Sequence, residues 1–249
     1  MIFLPLTMLV LMGVHFWRIR KDGGLSRPVK YAGEKGNTNK WYAWPVLMWT
    51  ELGLLLLVLV TVLFIAIVAD APLLEQDNPA FPENPAKSPW YFLGIQEMVS
   101  YSAFAGGLLV PVLYLVFLFS IPYRDKEDSY VGEWFSGKQG QKIVLRSAGF
   151  AFILVLIQLF VVVRYGGLRD WFPGISQWFV MLFNPATVTA ALFIVVAEII
   201  RRRMNSSRMA ALVLFTCSFV ALVVFTVVGI WFRGPNWEFF WSASQWPVL

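Results

Sequence analysis

The sequence predicts an all-α integral membrane protein of about six transmembrane helices, with a proline-rich outer loop that carries a short surface helix. Three observations predict it. The chain of 249 residues is 58% apolar and only 14% charged, with a mean hydropathy of +0.65, outside the range of a soluble domain of this size. Six apolar stretches are each long enough, at roughly 1.5 Å per residue, to cross about 30 Å of hydrocarbon. The basic residues are also segregated. Segments 18–45, 122–146 and 201–208 hold sixteen of the twenty Lys and Arg, which leaves Lys87, Arg164, Arg169 and Arg233 for the other side. Because Lys and Arg in short loops favour the cytoplasmic side, both termini are expected on the outer, positive face of a bacterial cytoplasmic membrane or an equivalent energised membrane.

The first helix is expected near residues 1–17. It has no basic region before it and no small-residue cleavage site after it, and it runs into Arg18, Arg20 and Lys21, so it reads as a retained helix and not a signal peptide. It carries His15, the only histidine. An imidazole in hydrocarbon is costly unless a ligand or partner compensates it, and a neutral imidazole nitrogen suits haem iron; an ordinary buried histidine is the alternative.

The second helix is expected near 46–69, with Glu51 close to its inner end. The outer segment 70–98 follows. Pro72, Pro79, Pro82, Pro85 and Pro89 exclude regular helix over most of it, before a helix-compatible aromatic run opens at Trp90. A loop that merely joins helices needs neither five prolines nor a Trp-Tyr-Phe cluster, so this one reads as stiff and as a candidate binding surface.

The remaining helices are expected near 99–121, 147–163, 177–200 and 209–232. Glu198 sits beside Arg201, Arg202 and Arg203, and a local ion pair accounts for it. Cys217, in the middle of the last helix, is the only cysteine; it reads as a small buried apolar residue and excludes a disulfide framework or a cysteine-held cluster within this chain. Trp171, Phe172, Trp178, Trp231, Trp237, Phe239, Phe240, Trp241 and Trp246 fit an interfacial aromatic belt, with direct quinone contact as the alternative. The net charge of +5 is explained by inner-side anchors and anionic lipid, and implies no nucleic acid partner.

Two stretches resemble cytochrome b. Pro5, His15, Arg18, Arg20 and Lys21 follow the pattern of that family's fourth helix, in which a leucine-proline pair precedes a haem-ligating histidine and a basic cluster. Ser88, Pro89, Trp90, Tyr91, Phe92 and Leu93, after the proline-rich loop, are similar to the Pro-Glu-Trp-Tyr motif of the family's C-terminal half, which the photosynthetic plastoquinol complex makes as a separate subunit. The resemblance covers residues 1–165; residues 166–249 exceed the family core and read as a two-helix extension with an aromatic tail.

The resemblance implies that His15 ligates a haem b whose other ligands come from a partner, an N-terminal cytochrome b chain, with Arg18, Arg20 and Lys21 pairing with the haem propionates. It implies a quinol-oxidation site at Trp90 and Tyr91, and a Rieske-type iron-sulfur or c-type cytochrome subunit as electron acceptor. The family's second haem histidine on this helix would fall on or just before Met1, so either the chain continues upstream or the outer haem is ligated differently or absent, Met1 being a minor candidate. Pro89 stands where the family has a proton-accepting glutamate. Glu97 is the nearest carboxylate able to substitute, ahead of Glu83 and Asp77.

Two other classes compete. A transporter would need paired intramembrane charges, broken helices or inverted repeats, and none is visible in the sequence. A haem-free scaffold subunit of a redox complex would keep the helices and aromatic belts but have no use for His15.

Overall fold

A computed structural model describes residues 2–21, 43–69, 80, 82–127 and 133–247; the expectations for Met1, Pro72, Asp77 and Pro79 lie outside these residues. Among the described residues the protein is all-α, with five helices long and apolar enough to cross a membrane, or six where two helices that meet at 45° are counted as one span. The chain divides into two units, Met1–Phe81 and Pro82–Leu249.

The first unit contains α1 (Phe3–Lys21) and α2 (Met48–Val68), neither of which has a buried residue. Arg18, Arg20 and Lys21 fill the last turn of α1, where cations complement the exposed carbonyls of the helix end. In α2 the polar groups hide themselves: the Thr50 and Thr61 hydroxyls donate to the carbonyls of Val46 and Leu57 at 2.9 and 2.8 Å.

The second unit contains α3 (Trp90–Tyr101), α4 (Val110–Arg124), α5 (Gly137–Tyr165), α6 (Leu168–Trp171), α7 (Gln177–Phe183), α8 (Pro185–Met204) and α9 (Ser207–Trp231). Its core is built on fourth-residue ridges: Ala151, Val155 and Leu159 of α5, Phe193 and Ala197 of α8, and Val213, Cys217 and Ala221 of α9. Residues four apart lie one above the other on a helix, so each ridge presents one continuous face to the others. Cys217 has no exposed surface, as expected of a small buried residue.

The helix α9 is the centre of this unit and packs on α3, α5 and α8. Position 165, the expected end of the cytochrome b-like part, falls within this second unit, and α9 of the expected extension packs on α3 and α5. Close approach of α3 to α9 depends on Gly94, where a Cβ would lie 2.7 Å from the Leu222 carbonyl oxygen.

Two spans differ from their expected form. The helix expected over 99–121 is interrupted at Ser102, whose backbone is extended and whose hydroxyl accepts from the Ala105 N–H at 3.2 Å; a π-helical turn at Ala105–Leu109 then leads into α4. The span expected over 177–200 is broken between Phe183 and Pro185. Proline supplies no N–H to continue α7, whereas it starts a helix well, and the Asn184 side chain accepts from the Thr187 N–H as the cap of α8.

At the arginine-rich end of the unit, Arg208 of α9 pairs with Asp125 at the end of α4 at 2.8 Å. Burial pushes the Asp125 carboxyl up, but the Arg208 hydrogen bonds and charge and the Glu127 N–H outweigh it, and its pKa lies below the ordinary carboxylate value. Glu198 pairs with Arg201 and Arg202 at 2.6 and 2.7 Å, the local ion pair expected there.

Candidate functional site

The candidate site lies at the opposite, aromatic-rich end of the second unit, around α3. The described part of the proline-rich loop is fastened to its neighbours. Gln96 accepts from the Ser88 N–H and donates to the Ala86 carbonyl, both at 2.8 Å, and Lys87 donates to the Ile230 carbonyl at 2.9 Å. Asn84 exchanges hydrogen bonds with the side chain and backbone of Asn236 at 3.0 and 2.7 Å. Burial lowers the Lys87 pKa from the ordinary lysine value, against the opposing pull of Glu83.

Beneath this loop Glu97 has no exposed surface. Its carboxylate accepts from Arg233 Nε at 2.9 Å and Nη2 at 2.5 Å, from the Tyr101 hydroxyl at 2.7 Å, and from Trp237 Nε1 at 2.8 Å. Arg233, itself only 7% exposed, also donates to the Trp237 carbonyl at 2.9 Å. A carboxylate buried without partners would be prohibitive, and here every oxygen is matched by a charged or polar donor. Burial pulls the Arg233 guanidinium down and the Glu97 hydrogen bonds and charge more than restore it, so its pKa is raised.

The structure places Glu97, the carboxylate expected to accept a proton, inside this closed network. A carboxylate closed off from solvent and held in a bidentate pair is not open to take a proton directly from a bound molecule. Nor does the structure gather Glu97, Trp90 and Tyr91 into one site: Trp90 and Tyr91 are 70% and 54% exposed, stacked edge-on with ring centroids 5.6 Å apart. Glu83, the poorer candidate, is exposed in the loop.

What adjoins Glu97 is Tyr101. The same residue lines a cleft of about 440 Å³, formed by the α3–α4 corner with Ser100 and Ser102, by Val162 of α5, by Arg169 and Asp170 of α6, and by Gln177, Val180 and Asn184 around the α7–α8 break. The volume falls within the range of small-molecule sites, and the mixed lining suits a ring with polar substituents. The polar groups of the rim are organised: Asp170 accepts from the Gly167 N–H at 2.7 Å, and Arg169 donates to Gln177.

In the first unit, His15 is exposed on α1 and meets the Phe16 ring edge-on at 5.9 Å. Arg18, Arg20 and Lys21 lie one to two turns further along the same helix, and Lys21 stands over the Trp17 ring at 5.0 Å. Among the described residues no cluster of three or more His, Cys, Asp or Glu could hold a metal ion.

Sequence reasoning missed Arg233, Tyr101 and Trp237. One signal was available: a lone carboxylate in an apolar stretch calls for a cation, and Arg233 is one of only four basic residues on that side. Compared with known proteins, the chain matches no family model, no curated protein and no solved structure.

Proposed function

We propose that the chain is a cytochrome b-type subunit of a membrane quinol-oxidising complex, and that quinol meets it at the cleft beside Tyr101. The observation that carries this reading is the position of Tyr101, which lines the cleft and donates its hydroxyl proton to buried Glu97. With that proton committed to the carboxylate, the phenolic oxygen still has a lone pair with which to accept from a quinol hydroxyl. A proton leaving quinol passes to Tyr101 as the phenolic proton moves to Glu97, and Arg233 holds the carboxylate in place. The resemblance at Pro89–Leu93 and at Pro5 and His15 supports the same family.

Haem b is part of the reading. His15 would hold the haem, and with no other histidine in the chain a second ligand would come from an N-terminal cytochrome b partner. Arg18, Arg20 and Lys21 would pair with the carboxylates of the group. Such a haem would supply one-electron transfer for one of the two quinol electrons, the other going to a Rieske-type iron-sulfur or c-type cytochrome subunit. The charge segregation puts the arginine-rich helix ends on the cytoplasmic side and the cleft on the outer side.

Steady-state quinol oxidation by the purified complex tests the cleft. Tyr101→Phe is expected to lower kcat by about a hundredfold, the scale of general acid–base participation, with KM changed only a few-fold. An unchanged kcat would remove Tyr101 from the reaction. For the haem, a dithionite-minus-ascorbate difference spectrum of His15→Ala is expected to lose one b-type band with assembly intact. A retained spectrum in an assembled complex would favour the haem-free scaffold.

The broken span and the buried ion pair are features a transporter would use. Here they are closed upon themselves: Asn184 is satisfied by Thr187 and the Met181 carbonyl, and Glu97 by Arg233, Tyr101 and Trp237. Neither offers a free ligand to a translocated ion.

A further inference from the structure

At the arginine-rich end of the second unit, α4, α8 and α9 enclose a groove of about 150 Å³ that no step of the proposed quinol chemistry uses. All three helices contribute in the same way. Each places a polar residue at the mouth and an apolar one seven residues deeper: Arg124 over Phe117, Arg201 over Ile194, and Ser207 over Leu214. Seven residues are two turns, or about 10 Å, so the lining grades from ionic to hydrocarbon over that depth. The polar atom inside is already satisfied, since Ser120 donates to the Phe117 carbonyl at 2.7 Å.

The charged residues of the lining are Arg124 and Arg201 with Asp125 and Glu198. Glu198 is shared by Arg201 and Arg202, and Asp125 is taken by Arg208. Arg124, which is exposed at the mouth, has no carboxylate partner among the described residues.

We propose that this groove binds an anionic phospholipid, with its phosphate on Arg124 and the upper part of one acyl chain against Phe117, Ile194 and Leu214. A soluble anion has no use for the apolar floor, and a neutral lipid none for the Arg124 guanidinium. Bound there, the lipid would join the ends of three helices, of which α4 and α9 are otherwise tied at this end by Arg208 and Asp125.

Native mass spectrometry of the purified full complex decides it, titrating with dioleoyl phosphatidylglycerol, dioleoyl phosphatidylcholine or inorganic phosphate. Phosphatidylglycerol is expected to be retained about fivefold more tightly than phosphatidylcholine, the scale of one basic residue near an anionic lipid, and inorganic phosphate is expected neither to be retained nor to displace it. Arg124→Gln should bring phosphatidylglycerol down to the phosphatidylcholine level, and Ala211→Leu, which fills the groove, should abolish retention of both. Equal retention of the two lipids by the native protein, an unaltered preference in Arg124→Gln, or displacement by inorganic phosphate would each overturn the proposal. Because Arg124 is exposed, its variant keeps the test decisive even if the filled variant fails to fold.

Discussion

Arg233→Met is expected to destabilise the second unit by about 3–5 kcal/mol, because it removes one partner of a buried ion pair and leaves the other behind. Glu97 has no exposed surface and would keep only Tyr101 and Trp237 as donors. The effect reaches further than one contact. Arg233 also donates to the Trp237 carbonyl, so its loss frees the tail that covers α3 and, through Asn236 and Asn84, the proline-rich loop. Replacing both partners by apolar residues, as in Glu97→Leu with Arg233→Met, is expected to recover part of the loss. Recovery would be incomplete, because the partly buried Tyr101 hydroxyl and Trp237 N–H would both lose their acceptor. Thermal unfolding of the purified protein checks this, with a fall in Tm on the order of 10 °C for the single variant. A fall no larger than that of the exposed control Arg203→Met would mean that the pair contributes nothing.

The second large effect is expected at Gly106. A Cβ there would sit 2.3 Å from the Met98 carbonyl carbon and 2.4 Å from both the Met98 oxygen and the Val99 nitrogen. These are backbone atoms, so no rotamer change relieves the clash and the corner between α3 and α4 must open. Gly106→Ala is expected to cost about 3 kcal/mol, the upper end for overpacking, and to lower the quinol oxidation proposed for the cleft, which Ser100, Tyr101 and Ser102 of that corner line. Its neighbour is the control: a Cβ at Gly107 meets only Val99 Cγ2, at 3.5 Å, an ordinary contact. Gly107→Ala should leave unfolding and turnover within error. Equal behaviour of the two variants would show that the tight corner is not required.

The sequence singled out the proline-rich loop, the aromatic run from Trp90 and the carboxylate Glu97; of these, Glu97 accepts from Tyr101, which lines the cleft. The role of Glu97 was not legible, because it depends on Arg233, which lies 136 residues away in the chain. Nothing in the sequence set Tyr101 apart; its hydroxyl donates to Glu97 at 2.7 Å only once α3 is formed. The break at Asn184 was present in the sequence as Asn-Pro, but the apolar run continues across it, and hydropathy alone reads a run of that length as one helix.

By itself the sequence determined that the protein is helical and lies in a membrane, because backbone N–H and C=O groups in hydrocarbon must be satisfied within each segment, and apolar runs of this length satisfy them as helices. It also determined which helix ends are basic and where the aromatic loop lies. Only the tertiary structure decided that α9 is the centre of the second unit, that Glu97 and Arg233 meet, and that a cleft opens beside Tyr101. The physical reason is that lipid and protein core are both apolar. A face that packs on another helix and a face that meets acyl chains call for the same kinds of residue, so hydropathy cannot tell them apart. The distinction rests on shape, such as the close approach that Gly94 allows and the pairing of charges far apart in the chain, and these exist only once the helices are together.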